Sequence, residues 1–277
     1  MEQRGPIYEN PKVFKLVKKL VFCLLLLLFF TTSFLINALQ LVNYLLLKKI
    51  FPDLRRFLNN YLQNVIQTSF IYIFEWQCPI SFRVSFDSQE TMNLFCENGE
   101  NALLVANHGY PLDVFFYHIF GQMTNSLNSM KGFAKSSIKY MPIVGWMFYF
   151  NDAIFLERNW QQDEQTIKEK LERLKRSKMP YKLLIAPEGT RFTAEKYKIS
   201  QEFIAKHGLD VKLKHHLCPR VKGFAATLRQ MNAKNDPHFS MYNIELVSQV
   251  DEKYAEPTIE NFFKGKVRGF LFALFSH

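Results

Sequence analysis

From Leu20 to Leu47 the chain carries no charged side chain over 28 residues. That run limits the available folds, because about 20 apolar residues in a helix already cross a hydrocarbon core. Lys12, Lys15, Lys18 and Lys19 precede it, and Lys48, Lys49, Arg55 and Arg56 follow. With basic residues on both flanks, the positive-inside bias selects no orientation. The run exceeds the apolar region of a signal peptide and has no small-x-small cleavage site, so it reads as a retained membrane anchor. Two arrangements satisfy it. One is a single tilted span; the other is two short helices that enter and leave one leaflet, interrupted at Thr31-Thr32-Ser33 or at Asn37. A second aromatic stretch, Val65 to Trp76, is too short to span and is expected at the interface or packed on the domain that follows. Residues 1–77 are thus read as anchor and interfacial helices.

At 277 residues the chain has room for that anchor and one sizeable domain, read here as residues 78–277. Ile80 to Phe86 alternates apolar and polar residues, as an antiparallel or edge strand does. Ala102 to Ala106 is continuously apolar and predicts a buried strand; Pro111 suits the first position of the helix after it. Short strands are also predicted over Ala153–Leu156, Tyr181–Ala186 and Asn243–Val247. Between them, Ile167, Leu171 and Leu174 mark one face of an amphipathic helix over Gln162–Arg176. Gly269 to Phe275 is a further apolar run. Strands alternating with helices predict an α/β fold, a mostly parallel central sheet flanked by helices, preceded by the membrane-anchoring segment.

Two segments carry the chemistry. At the end of the first buried strand stand Asn107-His108-Gly109-Tyr110-Pro111-Leu112-Asp113, with four residues between the histidine and the aspartate. This spacing lets the Asp113 carboxylate accept a hydrogen bond from one imidazole nitrogen, leaving the other to take a proton from a hydroxyl. From spacing alone, a capping histidine with an aspartate that merely favours a helix N-terminus is the commoner reading. Eighty residues after His108, Glu188-Gly189-Thr190-Arg191 follows another apolar strand. Gly189 permits close approach to the backbone, and Arg191 offers a planar guanidinium suited to phosphate. An ordinary turn with a surface arginine is the competing reading. Arg158, beside Glu157 as its local counter-charge, and the basic turn Pro219-Arg220-Val221-Lys222-Gly223-Phe224 are weaker signals of the same kind.

A net charge of +10 and a pI near 9.3 favour anionic partners: a membrane surface, phosphorylated substrates or nucleic acid. Nucleic acid is disfavoured, because the basic residues are dispersed and the apolar run has no place in such a protein. Cys23, Cys78, Cys96 and Cys218 form no C-x-x-C pair, so neither a disulfide framework nor a metal site is expected.

Together these segments resemble the glycerolipid acyltransferase family, which shares an H-x-x-x-x-D block, an arginine-bearing block, an E-G-T-R block and a proline-containing fourth block. All four stand in that order between Asn101 and Phe224. The stretch from Trp160 to Phe224 is similar to eukaryotic 1-acylglycerol-3-phosphate acyltransferases of the gamma/delta branch. The resemblance implies acyl transfer from acyl-CoA, a co-substrate rather than a bound cofactor, to the sn-2 hydroxyl of lysophosphatidic acid. It implies His108 as general base and Asp113 as its orienter. It implies Glu188, Gly189, Thr190 and Arg191 at the acceptor site, and Arg158 and Arg191 as phosphate ligands. Pro219 would sit near the acyl-CoA or support the site, and Asn107 would hold the turn that presents His108. No metal and no acyl-enzyme are implied, and the location implied is the endoplasmic reticulum membrane. In that branch further apolar segments generally follow the catalytic domain, where this sequence stops at His277. Two alternatives remain: an acyltransferase for lysophosphatidylinositol, lysophosphatidylglycerol or lysocardiolipin, and a non-catalytic lipid-binding protein. Oligomeric state is not readable.

Overall fold

The computed structural model describes residues 11–78, 82–97, 100–177, 179–231, 239–248, 257–264, 267 and 270–276. Two long helices come first, α1 (Pro11–Leu47) and α2 (Pro52–Gln77). The α/β region then runs β1 (Phe82–Phe86), α3 (Gln89–Cys96), β2 (Asn101–Ala106), α4 (Asp113–Met123) and β3 (Met130–Lys135). After a 3₁₀ turn (Ser136–Tyr140) come α5 (Val144–Phe150), β4 (Ile154–Leu156), α6 (Trp160–Lys175), β5 (Lys182–Ile185) and α7 (Ala194–Lys206). The last elements are α8 (Val221–Met231), β6 (Phe239–Ser248), α9 (Ile259–Phe263) and β7 (Phe270–Ser276).

The α1 helix is uninterrupted. The Thr31 and Thr32 hydroxyls donate to the carbonyls of Leu27 and Leu28, each at 2.8 Å, so these polar side chains are satisfied within the helix and do not break it. Asn37 likewise donates to Gln40 at 2.8 Å. The re-entrant pair with a break inside the apolar run is therefore not what forms. Instead α1 as a whole turns back at residues 48–51 into α2, whose entry Pro52 fits. By length and composition α1 is able to cross a membrane. The aromatic stretch Val65–Trp76 is the second half of α2 and packs on the domain: Phe70 stacks on Phe115 with centroids 4.2 Å apart, and Phe74 on Phe262 at 4.8 Å.

This hairpin buries a polar seam while many of its leucines are exposed. Leu24, Leu27, Leu28, Leu35 and Leu39 point outward, while Ser33, Asn37 and Gln40 face Asn59, Gln63 and Gln67 in a buried seam. Gln40 donates to the Asn59 carbonyl at 3.1 Å, and Asn43 to the Asn59 side chain at 2.6 Å. Inward-facing polar residues beneath outward-facing leucines are the arrangement that a bilayer would require of such helices.

Among the described residues seven strands form one sheet in the order β1-β7-β6-β2-β5-β3-β4. Among the described residues only β6 and β7 pair antiparallel; all other neighbours are parallel. The α/β reading with a mostly parallel sheet and an apolar helix before it is what the structure contains. The β2 residues Ala102, Leu103 and Leu104 are buried, so both faces of the strand are covered. Leu104 joins the cluster under α2 and α4, and Leu103 the opposite cluster, with Ile167, Leu171 and Leu174 of α6. The edge strand β1 runs parallel to β7. Ile80, Ser81 and Gly269 lie outside the described residues. Helix α4 starts at Asp113, two residues after Pro111, because the Asp113 carboxylate accepts the Tyr110 N–H at 2.8 Å and closes a turn ahead of the helix.

Candidate active site

β2 and β5 are adjacent and parallel, so the segments that follow them emerge at the same edge of the sheet. The carboxyl ends of parallel strands are where α/β sheets present their ligand sites. After β2 comes His108, and its Nδ1 lies 2.9 Å from Oδ2 of Asp113, whose side chain is 1% exposed. Asp113 is acceptor-only when ionised, so Nδ1 carries the proton and Nε2 is left as an acceptor. The His108 ring is about one-third exposed, its other face open to a ligand.

Asn107 fastens this turn to the neighbouring strand. Its side-chain amide donates to the Leu246 carbonyl at 3.0 Å, and its Oδ1 accepts the Leu246 N–H at 2.8 Å. The Tyr117 hydroxyl donates to the Asn107 carbonyl at 2.7 Å. Burial, with the charges of Asp113 and Glu188 adding to it, raises the Tyr117 phenol well above its usual value and keeps it a donor.

The Glu188–Arg191 turn reaches the same place from β5. The Phe192 N–H donates to the His108 carbonyl at 2.7 Å, which joins the two segments directly. Gly189 has φ 67°, the left-handed region that favours glycine. Glu188 is 6% exposed. Its Oε1 lies 3.3 Å from Nδ1 of His216, while Oε2 has no hydrogen-bond partner. Burial raises the Glu188 carboxyl above the usual range, opposed by His216, by a backbone hydrogen bond from Leu217 and by His108. Nε2 of His216 is 3.8 Å from Glu245 of β6. Thr190 Oγ1 accepts a hydrogen bond from Lys196 Nζ.

Pro219 lies in the loop before α8, next to Arg220, whose N–H donates to the Pro187 carbonyl at 2.7 Å. Arg158 stands just past β4, at φ 65°. β4 is two strand positions from β5, so Arg158 rises from the same edge about 10 Å to the side. Glu157 is not its counter-charge: that carboxylate accepts the Ser136 hydroxyl and lies 4.0 Å from Lys139. The structure thus gathers Asn107, His108, Asp113, Glu188, Gly189, Thr190 and Arg191 at one point, with Pro219 next to the Arg220–Pro187 backbone bond and Arg158 apart. Tyr117 and His216 were not among the residues predicted for the site, and Arg220 entered only as a member of the basic turn Pro219-Arg220-Val221-Lys222-Gly223-Phe224. Tyr117 carried a signal, standing four residues after Asp113 on the same helical face.

The Acyltransferase family profile matches residues 83–241, and the chain belongs to that family. It is similar to 1-acyl-sn-glycerol-3-phosphate acyltransferase 2 of Brassica oleracea, 32% identical over 239 residues, 86% of this chain and 59% of that protein. It is similar also to 1-acyl-sn-glycerol-3-phosphate acyltransferase delta of Homo sapiens, 35% identical over 212 residues, 76% of this chain and 54% of that protein. The chain therefore spans a little more than half the length of these relatives.

Proposed function

We propose that the protein transfers a fatty acyl group from acyl-CoA to the sn-2 hydroxyl of 1-acylglycerol-3-phosphate, giving phosphatidic acid. The observation that carries this reading is the 2.9 Å contact between His108 Nδ1 and Asp113 Oδ2, beside the Glu188–Arg191 turn. His108 Nε2 takes the proton of the acceptor hydroxyl as its oxygen attacks the thioester carbonyl. The bond to sulfur breaks, and the CoA thiolate leaves with the proton returned by the imidazolium. Asp113 acts through orientation and by stabilising that transient charge. Holding both substrates at one edge makes the attack effectively unimolecular, so no acyl-enzyme is needed.

Arg191 grips the acceptor's phosphate, and Arg158 adds a cation at the same edge for the phosphates of either substrate. The apolar hairpin keeps the edge at the bilayer, where the acceptor and product reside. Similarity to acyltransferases acting on 1-acyl-sn-glycerol-3-phosphate supports this acceptor, and the family resemblance supports the endoplasmic reticulum membrane as the location. The test is an assay of the detergent-purified protein with radiolabelled acyl-CoA and a panel of lysolipids, with released CoA followed by thiol detection. Preferential acylation of lysophosphatidic acid is expected. Preference for an inositol-, glycerol- or cardiolipin-type acceptor would reassign the substrate, and no CoA release with any acceptor would refute the reading.

A further inference from the structure

We infer that Arg220 is a second phosphate-gripping guanidinium at the acceptor site, paired with Arg191 across the Gly189 turn. The inference deepens the proposed function and rests on it. Arg220 follows Pro219 in the loop ahead of α8, some thirty residues from the turn it touches. Its N–H is bonded to the Pro187 carbonyl, so its Cα is fixed against the Glu188–Arg191 turn. The stem of its side chain then lies over Gly189. A Cβ at position 189 would stand 2.9 Å from Arg220 Cδ and 3.3 Å from its Nε. The missing side chain of Gly189 is therefore what lets the Arg220 guanidinium reach over the turn, a second demand on this glycine besides its positive φ.

Charge gives that placement its meaning. The carboxylate nearest in the chain, Glu188, faces His216. Among the described residues neither Arg191 nor Arg220 has an ion-pair partner, and both are exposed. This four-residue turn thus carries two unpaired guanidiniums, Arg191 as its last residue and Arg220 lying over Gly189, with a backbone hydrogen bond from Phe192 to His108 beside them. A dianionic monoester is the acceptor group that two such planar forks match best.

The test compares two acceptors of the same acyl chain, 1-acylglycerol-3-phosphate and the phosphate-free 1-acylglycerol. Wild type, Arg220→Met and Arg220→Lys are measured for acyl transfer and, by calorimetry without acyl donor, for equilibrium binding of each lipid. Methionine keeps an unbranched stem against Gly189 and removes the charge. Loss of one charge-assisted pair is expected to weaken binding of the phosphate-bearing lipid about ten- to hundredfold in Arg220→Met, chiefly as a raised KM. The phosphate-free lipid is expected to lose far less, and Arg220→Lys to recover part of the difference. Equal losses for both lipids, or undiminished phosphate preference in Arg220→Met, would overturn the assignment. The binding arm decides Arg220 even where turnover fails, whereas absent transfer by wild type counts against the proposed function.

Discussion

The carbonyl of His108 accepts the backbone N–H of Phe192 at 2.7 Å. This one bond couples the turn after β2, which carries His108, to the turn after β5, which carries Glu188–Arg191, so the two move together. Several consequences of that coupling are open to measurement.

Asn107 is the first. Its amide satisfies both backbone groups of Leu246, a residue buried in β6. Asn107→Ala leaves that N–H and carbonyl without partners, which is expected to cost about 2–4 kcal/mol of stability. Because the Tyr117 hydroxyl is anchored on the same residue's carbonyl, acyl transfer is expected to fall more steeply than the folded fraction. Denaturant titration and turnover of the same preparation check both.

Gly189 is conformationally required. At φ 67° an alanine is strained by about 1–2 kcal/mol, and its methyl would displace the Arg220 side chain. Gly189→Ala is expected to lower the melting temperature and raise the KM for lysophosphatidic acid. An unchanged KM would place Arg220 outside the acceptor site.

Glu188 predicts a pH signature. Burial raises its carboxyl in the folded state, so the protonated form stabilises the fold. That contribution is complete below the ordinary carboxylate range and is lost as pH rises through the raised value. The ionised side chain is therefore a cost at neutral pH. Glu188→Gln is expected to melt higher than wild type near neutrality, with the gain vanishing in acid, and to transfer acyl groups poorly. Melting curves across the acid-to-neutral range test the sign; a variant less stable than wild type at neutral pH contradicts it.

The seam of the hairpin makes a different prediction. Both amide atoms of Gln63 are buried without hydrogen-bond partners. Gln63→Leu removes that desolvation cost and is expected to raise the melting temperature in detergent, by about 2–4 °C per kcal/mol gained. Asn59→Leu breaks the bond from Asn43 and is expected to lower it.

The parts of this fold legible in the sequence are those set by local pattern. β2 stands out by the apolar run Ala102 to Ala106, β5 by Leu183-Leu184-Ile185 after Lys182, and α6 by Ile167, Leu171 and Leu174 at helical spacing. Long-range partners hide the rest. β3 reads as polar because of Lys131, which the fold buries against Asn60 and Asn151. Pro111 looked like a helix start, but the Asp113 carboxylate is spent on the turn before it. At the site, His108 and Asp113 were readable because only four residues separate them. His216 was not, and Arg220 stood out only as one member of a basic turn, since only the return of the loop over the β5 turn brings them to Glu188 and Gly189.

The most direct measurement is single-turnover acyl transfer to lysophosphatidic acid by purified His108→Ala, with its fold checked by melting temperature and its lipid affinity by calorimetry. Loss of general-base catalysis predicts a rate about a hundred- to ten-thousandfold below wild type, with binding retained. A folded His108→Ala protein turning over at the wild-type rate would contradict the account.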